Sequence, residues 1–291
     1  YLWRRGSIPF ANFWRVELSG QATEFLKAND LAGTLDALQQ SVRADPSDPK
    51  LRIFLFQLLC ITGDWKRAIT QLKLCAELDP IAIPMAQAYR EGIICEVFRE
   101  KVFTGEKDPL IFGEPVEWLA LLIEANRALA SGNVAHATEL RAKAFDQVPD
   151  LGGEINGERF EWVADADMRM GPVLEIIVNG RYFWMPFSSI LTLKLDEPED
   201  LRDTVWTAAN VTLQNGGEFV ALIPTRYVGT PASKDNAAML ARSTTWADAG
   251  DDTYVGTGQR LLTTDRSDVA LMDLRTLSMD PVPVVEGEVD G

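Results

Sequence analysis

The first half of the chain alternates apolar and polar positions with the period of an α-helix. Leu31, Leu35 and Leu38 fall on one helical face, and this pattern ends before a proline. A helix-stopping dipeptide followed 17 positions later by a proline occurs three times, in the segments Asn29–Pro46, Gly63–Pro80 and Gly132–Pro149. The first two segments begin 34 residues apart, which is the period of tetratricopeptide (TPR) helix pairs.

The second of these segments predicts the best-formed helix pair, with a turn at Gly63-Asp64. In its second helix, Ala68, Leu72 and Cys75 occupy the small, large and small positions at which paired helices approach closely. Arg141 breaks the middle position in the last segment, so that unit is degenerate or terminal.

A longer helix is predicted between the units, over Ile83 to Phe103, with Ile94, Val97 and Phe98 as its apolar stripe. Together these elements predict a TPR-like α-helical repeat domain over residues 21–151. A repeat of this kind buries its apolar face only by stacking on its neighbours. The stack usually leaves a groove that holds a peptide.

After Pro149 the period changes from helical to the alternation of β-strands. Asn179-Gly180 lies between two strand-like runs and is the strongest hairpin signal in the chain, because this dipeptide accepts the positive φ of a type I′ turn. The predicted elements are strands at Val173–Val178, Arg181–Phe187, Leu191–Leu195, Val211–Leu213 and Phe219–Ile223, a short helix at Asp235–Arg242, and two strands that close the sheet, Arg260–Thr264 and Val269–Leu274.

These patterns predict an α+β multidomain chain, in which the helical repeat domain is followed by a small antiparallel β-barrel or bent-sheet domain over residues 152–277. The acidic, proline-containing residues 278–291 are predicted to be a disordered tail. Residues 1–20 are aromatic with little periodicity, and are either an upstream extension or a cloning remnant.

The two halves of the chain differ in net charge, and this difference limits the classes of partner that the chain is expected to bind. Of the net charge of −15, residues 151–291 carry −12 (11 Lys and Arg against 23 Asp and Glu). This balance argues against nucleic acid and against an anionic membrane surface. No apolar run is long enough to cross a membrane and no signal peptide is recognisable, so a cytoplasmic location without membrane insertion is expected. Cys60, Cys75 and Cys95 are expected to be buried free thiols.

The sequence offers little chemistry. His136 is the only histidine, and no nucleophile elbow or phosphate-binding loop occurs, so no catalytic residue, cofactor or metal ligand is assigned. The one dense polar group contains Asp165, Asp167 and Glu175, whose oxygens could gather a hard cation. The more ordinary interpretation is a turn in which Asp165 or Asp167 caps backbone amides and Arg169 pairs with one of them. The cluster Tyr182, Phe183, Trp184 and Phe187 suits either core packing or partner docking.

Five runs of the sequence resemble the ImpE/TagJ family over about residues 25–275. They are Leu51–Cys60, Pro84–Arg90, Phe160–Asp165 with Arg169–Pro172, Asn179–Trp184 and Ile223–Tyr227. Members of this family are accessory proteins of bacterial type VI secretion systems, and no catalytic residues belong to the family pattern.

The resemblance implies a non-enzymatic adaptor. Such a protein would bind a helical segment of the contractile-sheath small subunit (TssB-like) and link the sheath to its AAA+ recycling ATPase (ClpV-like). A groove between helical repeats is what an amphipathic segment requires. The residues assigned to partner binding are Arg52, Gln57, Trp162, Asp165, Asp167, Arg169, Tyr182 and Trp184. The alternative is a metal-dependent or carboxylate acid-base enzyme that uses the acidic cluster.

Overall fold

A computed structural model of the chain describes residues 20–282. Residues 1–19 and 283–291, on which the expectations of an extension and of most of the tail fall, lie outside the described residues. Residues 21–145 form seven α-helices: α1 Gln21–Lys27, α2 Leu31–Ala44, α3 Pro49–Ile61, α4 Trp65–Leu78, α5 Ile83–Phe103, α6 Glu117–Ala130 and α7 Val134–Phe145. No helix of the described part has both the length and the apolar character required to cross a bilayer.

The helices begin and end at the capping residues and glycines that the sequence predicts. The carboxylates of Asp30 and Asp64 accept hydrogen bonds from the first-turn amides of Gly33 (2.8 Å) and Arg67 (3.2 Å), and so cap α2 and α4. Gly63 adopts a φ of +72°, a left-handed conformation that ends α3 at little steric cost. The division into helix pairs is therefore encoded locally, while a TPR-like stacking of these pairs remains a prediction.

Within the described residues the strands form three sheets; the first strand lies between α5 and α6, and the others follow α7 together with one further short helix, α8 Asn236–Met239. The strands are β1 Leu110–Ile111, β2 Gly153–Ile155, β3 Glu158–Phe160, β4 Val163–Asp165, β5 Val173–Val178, β6 Arg181–Pro186, β7 Ile190–Leu195, β8 Trp206–Leu213, β9 Glu218–Pro224, β10 Thr244–Asp248, β11 Tyr254–Gly258, β12 Leu261–Thr264, β13 Asp268–Ala270 and β14 Thr276–Met279. Asn179 and Gly180 both have positive φ (50° and 69°), as the predicted hairpin between β5 and β6 requires.

The main sheet has nine strands in the order β1-β6-β5-β9-β8-β7-β14-β2-β3, and β1 alone runs parallel to its neighbour. Its two ends do not pair within residues 20–282, so the sheet is open, and of the two predicted alternatives, barrel or bent sheet, the barrel is wrong. The strands expected to close it, β12 and β13, form instead a separate three-stranded sheet in which β12 pairs with both β13 and β4. A two-stranded sheet, β10-β11, completes the set.

Two further expectations are corrected. Ile94 and Val97 are exposed (48% and 38%), while Phe98, the third residue of the predicted stripe, packs against the core. The buried face of α5 also carries Glu96 and Arg99, because Trp206 and Glu175 on the sheet bind them. At the other end of the chain, β14 includes Ser278 and Met279, where a disordered tail was predicted. The backbone carbonyl of Asp280, just beyond β14, also accepts a hydrogen bond from the side-chain amide of Gln214 (Nε2 to O, 2.9 Å).

The helices pack on one face of the main sheet, and one hydrophobic cluster includes side chains from both. On α5, Gly92 lies against the indole of Trp206 on β8, where a Cβ would sit 3.6 Å from the ring. A second cluster lines the opposite face of the sheet and is built from β-region residues. Every residue of β5 is buried, since the strand is covered on both faces. Cys60, Cys75 and Cys95 are buried free thiols, as expected.

Candidate functional site

The acidic group predicted from the sequence lies at the contact between the helices and the sheet. Glu175 on β5 receives two arginines that come from distant parts of the chain. Arg99 on α5 binds it in two-pronged fashion, Nε to Oε1 at 2.6 Å and Nη2 to Oε2 at 2.9 Å, and Arg260 binds Oε2 through its own Nη2. The three side chains are at most 3% exposed. Buried charges of this kind persist only when they are paired and hydrogen-bonded.

Aromatic residues complete the shell of hydrogen bonds around these charges. The hydroxyl of Tyr182 donates to Glu175 Oε1 and accepts from the indole N–H of Trp184 at 2.8 Å. Arg99 also contacts Glu96 at 3.2 Å, and Glu96 in turn accepts from the indole N–H of Trp206 at 3.1 Å. Tyr182 and Trp184 are therefore core residues with polar ends that serve the buried ion pairs.

The aspartates form the turn that the more ordinary interpretation predicts. Asp165 accepts from the amide of Asp167 (2.9 Å) and from the hydroxyl of Tyr227 (3.1 Å), and it pairs with Arg260. Asp167 accepts from the amide and the Nε of Arg169, both at 2.9 Å. The carboxylate oxygens are thus occupied by arginines and amides. Within residues 20–282 no three His, Cys, Asp or Glu residues are placed to hold a metal ion.

The pKa values of the two central carboxyls move in opposite directions. Burial alone would raise the pKa of Glu175, but the charges of Arg99 and Arg260 outweigh it and lower the pKa to about 2. Burial raises the pKa of Asp165 to about 6, and the charge of Arg260 offsets part of that rise. Glu175 is therefore ionised at neutral pH, where it balances the charges of Arg99 and Arg260.

An apolar cleft of about 360 Å³ opens beside this network, where the helices meet the β region. Trp162 lines it and is 44% exposed. Other apolar side chains that line the cleft are Trp118, Phe145, Val148, Phe187 and Met279. A cleft of this size and lining admits a few apolar side chains of a partner.

The eight residues assigned to partner binding fall into two sets. Asp165, Asp167, Arg169, Tyr182 and Trp184 belong to the buried network or its turn, and Trp162 precedes that turn at the surface. Arg52 and Gln57 lie on α3. Arg52 bonds the Pro46 carbonyl (2.8 Å) and the Gln71 amide oxygen (3.2 Å), while Gln57 is 2% exposed. Of the eight residues, Trp162 is exposed and Arg52 and Arg169 are half-buried, and the partner-binding role of all eight stays a prediction.

Several charged residues of the buried network were not predicted from the sequence. Arg99 and Glu96 were not singled out, since a charged pair on a helix normally indicates a solvated face. Arg226, which donates to the carbonyls of Ile61 (2.8 Å) and Met239 (2.6 Å), fastens the end of α3 to the β region. Its signal was present in the run Ile223–Tyr227, which carried the family resemblance without an assigned role.

Comparison with known proteins gives consistent matches. The family model described as "ImpE protein" matches residues 157–278. The type VI secretion system accessory component TagJ of Pseudomonas aeruginosa is 50% identical over 260 residues, which covers 89% of this chain and 91% of that protein. The crystal structure of protein VPA1032 from Vibrio parahaemolyticus superposes with a TM-score of 0.82 at 27% identity, and covers 89% of this chain and 97% of that one. The chain therefore belongs to the ImpE/TagJ family.

Proposed function

We propose that the protein is a non-enzymatic, cytoplasmic adaptor of a bacterial type VI secretion system. In this proposal it binds a helical segment of the TssB-like sheath small subunit and links the sheath to its ClpV-like AAA+ ATPase. The observation that carries the proposal is the 50% identity, over nearly the whole chain, to a protein named as a type VI secretion accessory component. No observation favours the enzyme alternative, since its carboxylates are bound by arginines and amides.

The cleft beside Trp162 is the surface best suited to a helical segment. Amphipathic helices bind by laying apolar side chains into an apolar groove, and this cleft has such a lining. It also lies where two regions of the chain meet, a common position for binding sites. Arg52 on α3 marks the alternative surface, on the helical repeats alone.

Calorimetric titration with the N-terminal helical segment of the sheath small subunit from the same organism tests the proposal. We expect saturable binding to the wild-type protein. Trp162→Ala should weaken it at least about tenfold, because a buried aromatic anchor often contributes 2 kcal/mol or more to an interface, as a rough guide. Ile94→Ala is the matched control, since Ile94 is 48% exposed but lies on α5 and does not line the cleft.

The pattern of loss locates the site. If Arg52→Glu abolishes binding while Trp162→Ala does not, the segment binds the helical repeats instead of the cleft. If neither the segment nor the whole sheath subunit binds the wild-type protein, the sheath-adaptor proposal is withdrawn. Binding of the ATPase is measured separately, with and without the sheath subunit, because the proposed link requires both contacts in one complex.

A further inference from the structure

The backbone hydrogen bonds that fasten the two-stranded sheet β10-β11 to the protein are made by β11, while Trp246 on β10 adds a ring contact with Tyr227 (centroids 5.6 Å apart). The amide of Gly256 on β11 donates to Asp167 Oδ2 (2.9 Å), and the carbonyls of Tyr254 and Gly258 accept from the amides of Met168 (3.2 Å) and Tyr227 (2.9 Å). β10 pairs with the opposite edge of β11 and with no other strand within residues 20–282. β10 is therefore the outer, exposed edge of this sheet.

The alternation of hydrogen-bonded and non-bonded residue pairs between β10 and β11 determines which backbone groups of β10 point outward. The hydrogen bonds from Ala249 to Thr253 (2.7 Å) and from Gln259 to Ser243 (3.0 Å) belong to the bonded pairs of the antiparallel ladder. Because bonded and non-bonded pairs alternate, the N–H and C=O groups of Trp246 and Asp248 point away from β11. No residue of the described range 20–282 bonds these groups, and the strand from Thr245 to Asp248 is exposed.

Natural edge strands are usually protected by a bulge, a proline or several charges. β10 pairs with β11 without a register shift and contains no proline, and its one charge is Asp248 at its end. The turn that follows adds Asp251 and Asp252, both exposed, and no Lys, Arg or His occurs from Ser243 to Gln259. Trp246 and Tyr254, at 40% and 45% exposure, lie on the same face of this sheet.

We propose that β10 is a docking edge for an extended segment of a partner protein that carries lysine or arginine. The segment would add to β10 as a third strand, with main-chain hydrogen bonds to Trp246 and Asp248. Its basic side chains would approach the three aspartates and the two exposed aromatic rings, to which cations are attracted. A second copy of this chain suits the edge less well, since its net charge is −15. The edge shares no residue with the cleft and does not depend on the sheath proposal.

A synthetic peptide of alternating lysine and valine, with blocked ends and a fluorescent label, is the probe. We expect it to bind the wild-type protein by fluorescence anisotropy, more tightly at low salt, while the same peptide with glutamate in place of lysine does not bind. Methylating alternate backbone nitrogens of the lysine peptide provides the strand test. Because only every second amide faces the protein, one methylated set should abolish binding and the other should retain it.

Two protein variants complete the test. Trp246→Pro removes an outward N–H that the ladder with β11 does not use, whereas Trp246→Ala keeps it, and both variants lose the ring contact with Tyr227. We therefore expect the two variants to melt at similar temperatures, while the proline variant loses binding and the alanine variant binds more weakly but measurably. Replacing Asp248, Asp251 and Asp252 together by Asn keeps the turn, since Asn accepts the positive φ of residues 251 and 252, and should weaken binding about tenfold at low salt.

The proposal is overturned if the lysine and glutamate peptides bind equally, or if neither binds. Equal binding of both methylated sets, or unchanged binding by Trp246→Pro, would also overturn it, because the edge would then not be the site. Sedimentation measured at increasing protein concentration tests whether a second copy of the chain binds the edge instead. A dimer that Trp246→Pro dissolves would assign the edge to a second copy of the chain and end the basic-segment proposal.

Discussion

Arg99 on α5 and Glu175 on β5 form a two-pronged ion pair across the contact between the helices and the sheet, although 76 residues separate them in sequence. Their side chains are 3% and 1% exposed. Removing one member of such a pair leaves the other charge buried without its counterion, which costs far more free energy than the intact pair contributes. The stability of the contact therefore depends on both partners being present.

Arg99→Met should lower the free energy of unfolding by about 3–5 kcal/mol, because Glu175 keeps Arg260 but loses its two-pronged partner. Urea unfolding followed by circular dichroism at neutral pH measures the change. Arg127→Met is the control: Arg127 pairs with Asp108 but is 44% exposed, and its loss should cost about 1 kcal/mol or less. Equal losses in the two variants would show that the buried pair contributes no more than a surface pair.

Acid should selectively remove the contribution of Glu175. The pKa of Glu175 is lowered from 4.5 to about 2 in the folded protein, so its ionisation favours folding above pH 4.5, and that contribution is lost as the pH falls toward 2. Glu175→Gln cannot ionise at this position, so its free energy of unfolding lacks this pH-dependent contribution. The difference in unfolding free energy between wild type and Glu175→Gln, measured by urea titration at several pH values, should therefore shrink from neutral to acidic pH. A difference that stays constant would contradict the lowered pKa.

Ala68 tests the packing of the helix pair α3–α4. Its side chain is 0% exposed, so Ala68→Arg overfills a close contact and buries a charge, and we expect the unfolding free energy to fall by about 3 kcal/mol or more. Thr70→Arg places the same side chain two positions further on, at an exposed site of α4, and should leave the melting temperature nearly unchanged. If both variants melted like the wild type, the close packing of α4 would be wrong.

Divalent cations provide a direct test of the enzyme alternative. Since Asp165, Asp167 and Glu175 are already bound by arginines and amides, calcium, magnesium and manganese should each leave the melting temperature unchanged in a thermal-shift measurement. A ligand that binds the native state must raise this temperature. A rise that Asp165→Asn abolishes would restore the metal-site interpretation.

The local signals in the sequence predicted most of the helices, but only seven of the fourteen strands that the described residues form. Asp30 and Asp64 cap helices that start next to them, and Asn179-Gly180 turns the hairpin, because these residues act on their own backbone neighbourhood. The pairing of Asp167 with Arg169 was predictable for the same reason, since the two residues lie in one turn.

The features of the fold that were not predicted depend on contacts between segments that are distant in sequence. Glu96 and Arg99 resemble a solvated helix face unless Trp206 and Glu175 are known to lie opposite, and the predicted buried stripe of α5 was consequently wrong at Ile94 and Val97. The same applies to β12: alternation predicted a strand, but nothing local indicated that it pairs with β4 and leaves the main sheet open. Side-chain periodicity identifies a buried face only when that face is apolar.

Each half of the chain neutralises charges that belong to the other. Glu175 and Arg260 come from the β region and Arg99 from the helices, while Arg226 reaches back to the end of α3. A protease cut between α7 and β2 would thus leave two fragments that hold together through buried ion pairs and a common core. Heating or denaturant should melt the intact chain in a single transition, and either fragment made alone should aggregate or remain unfolded.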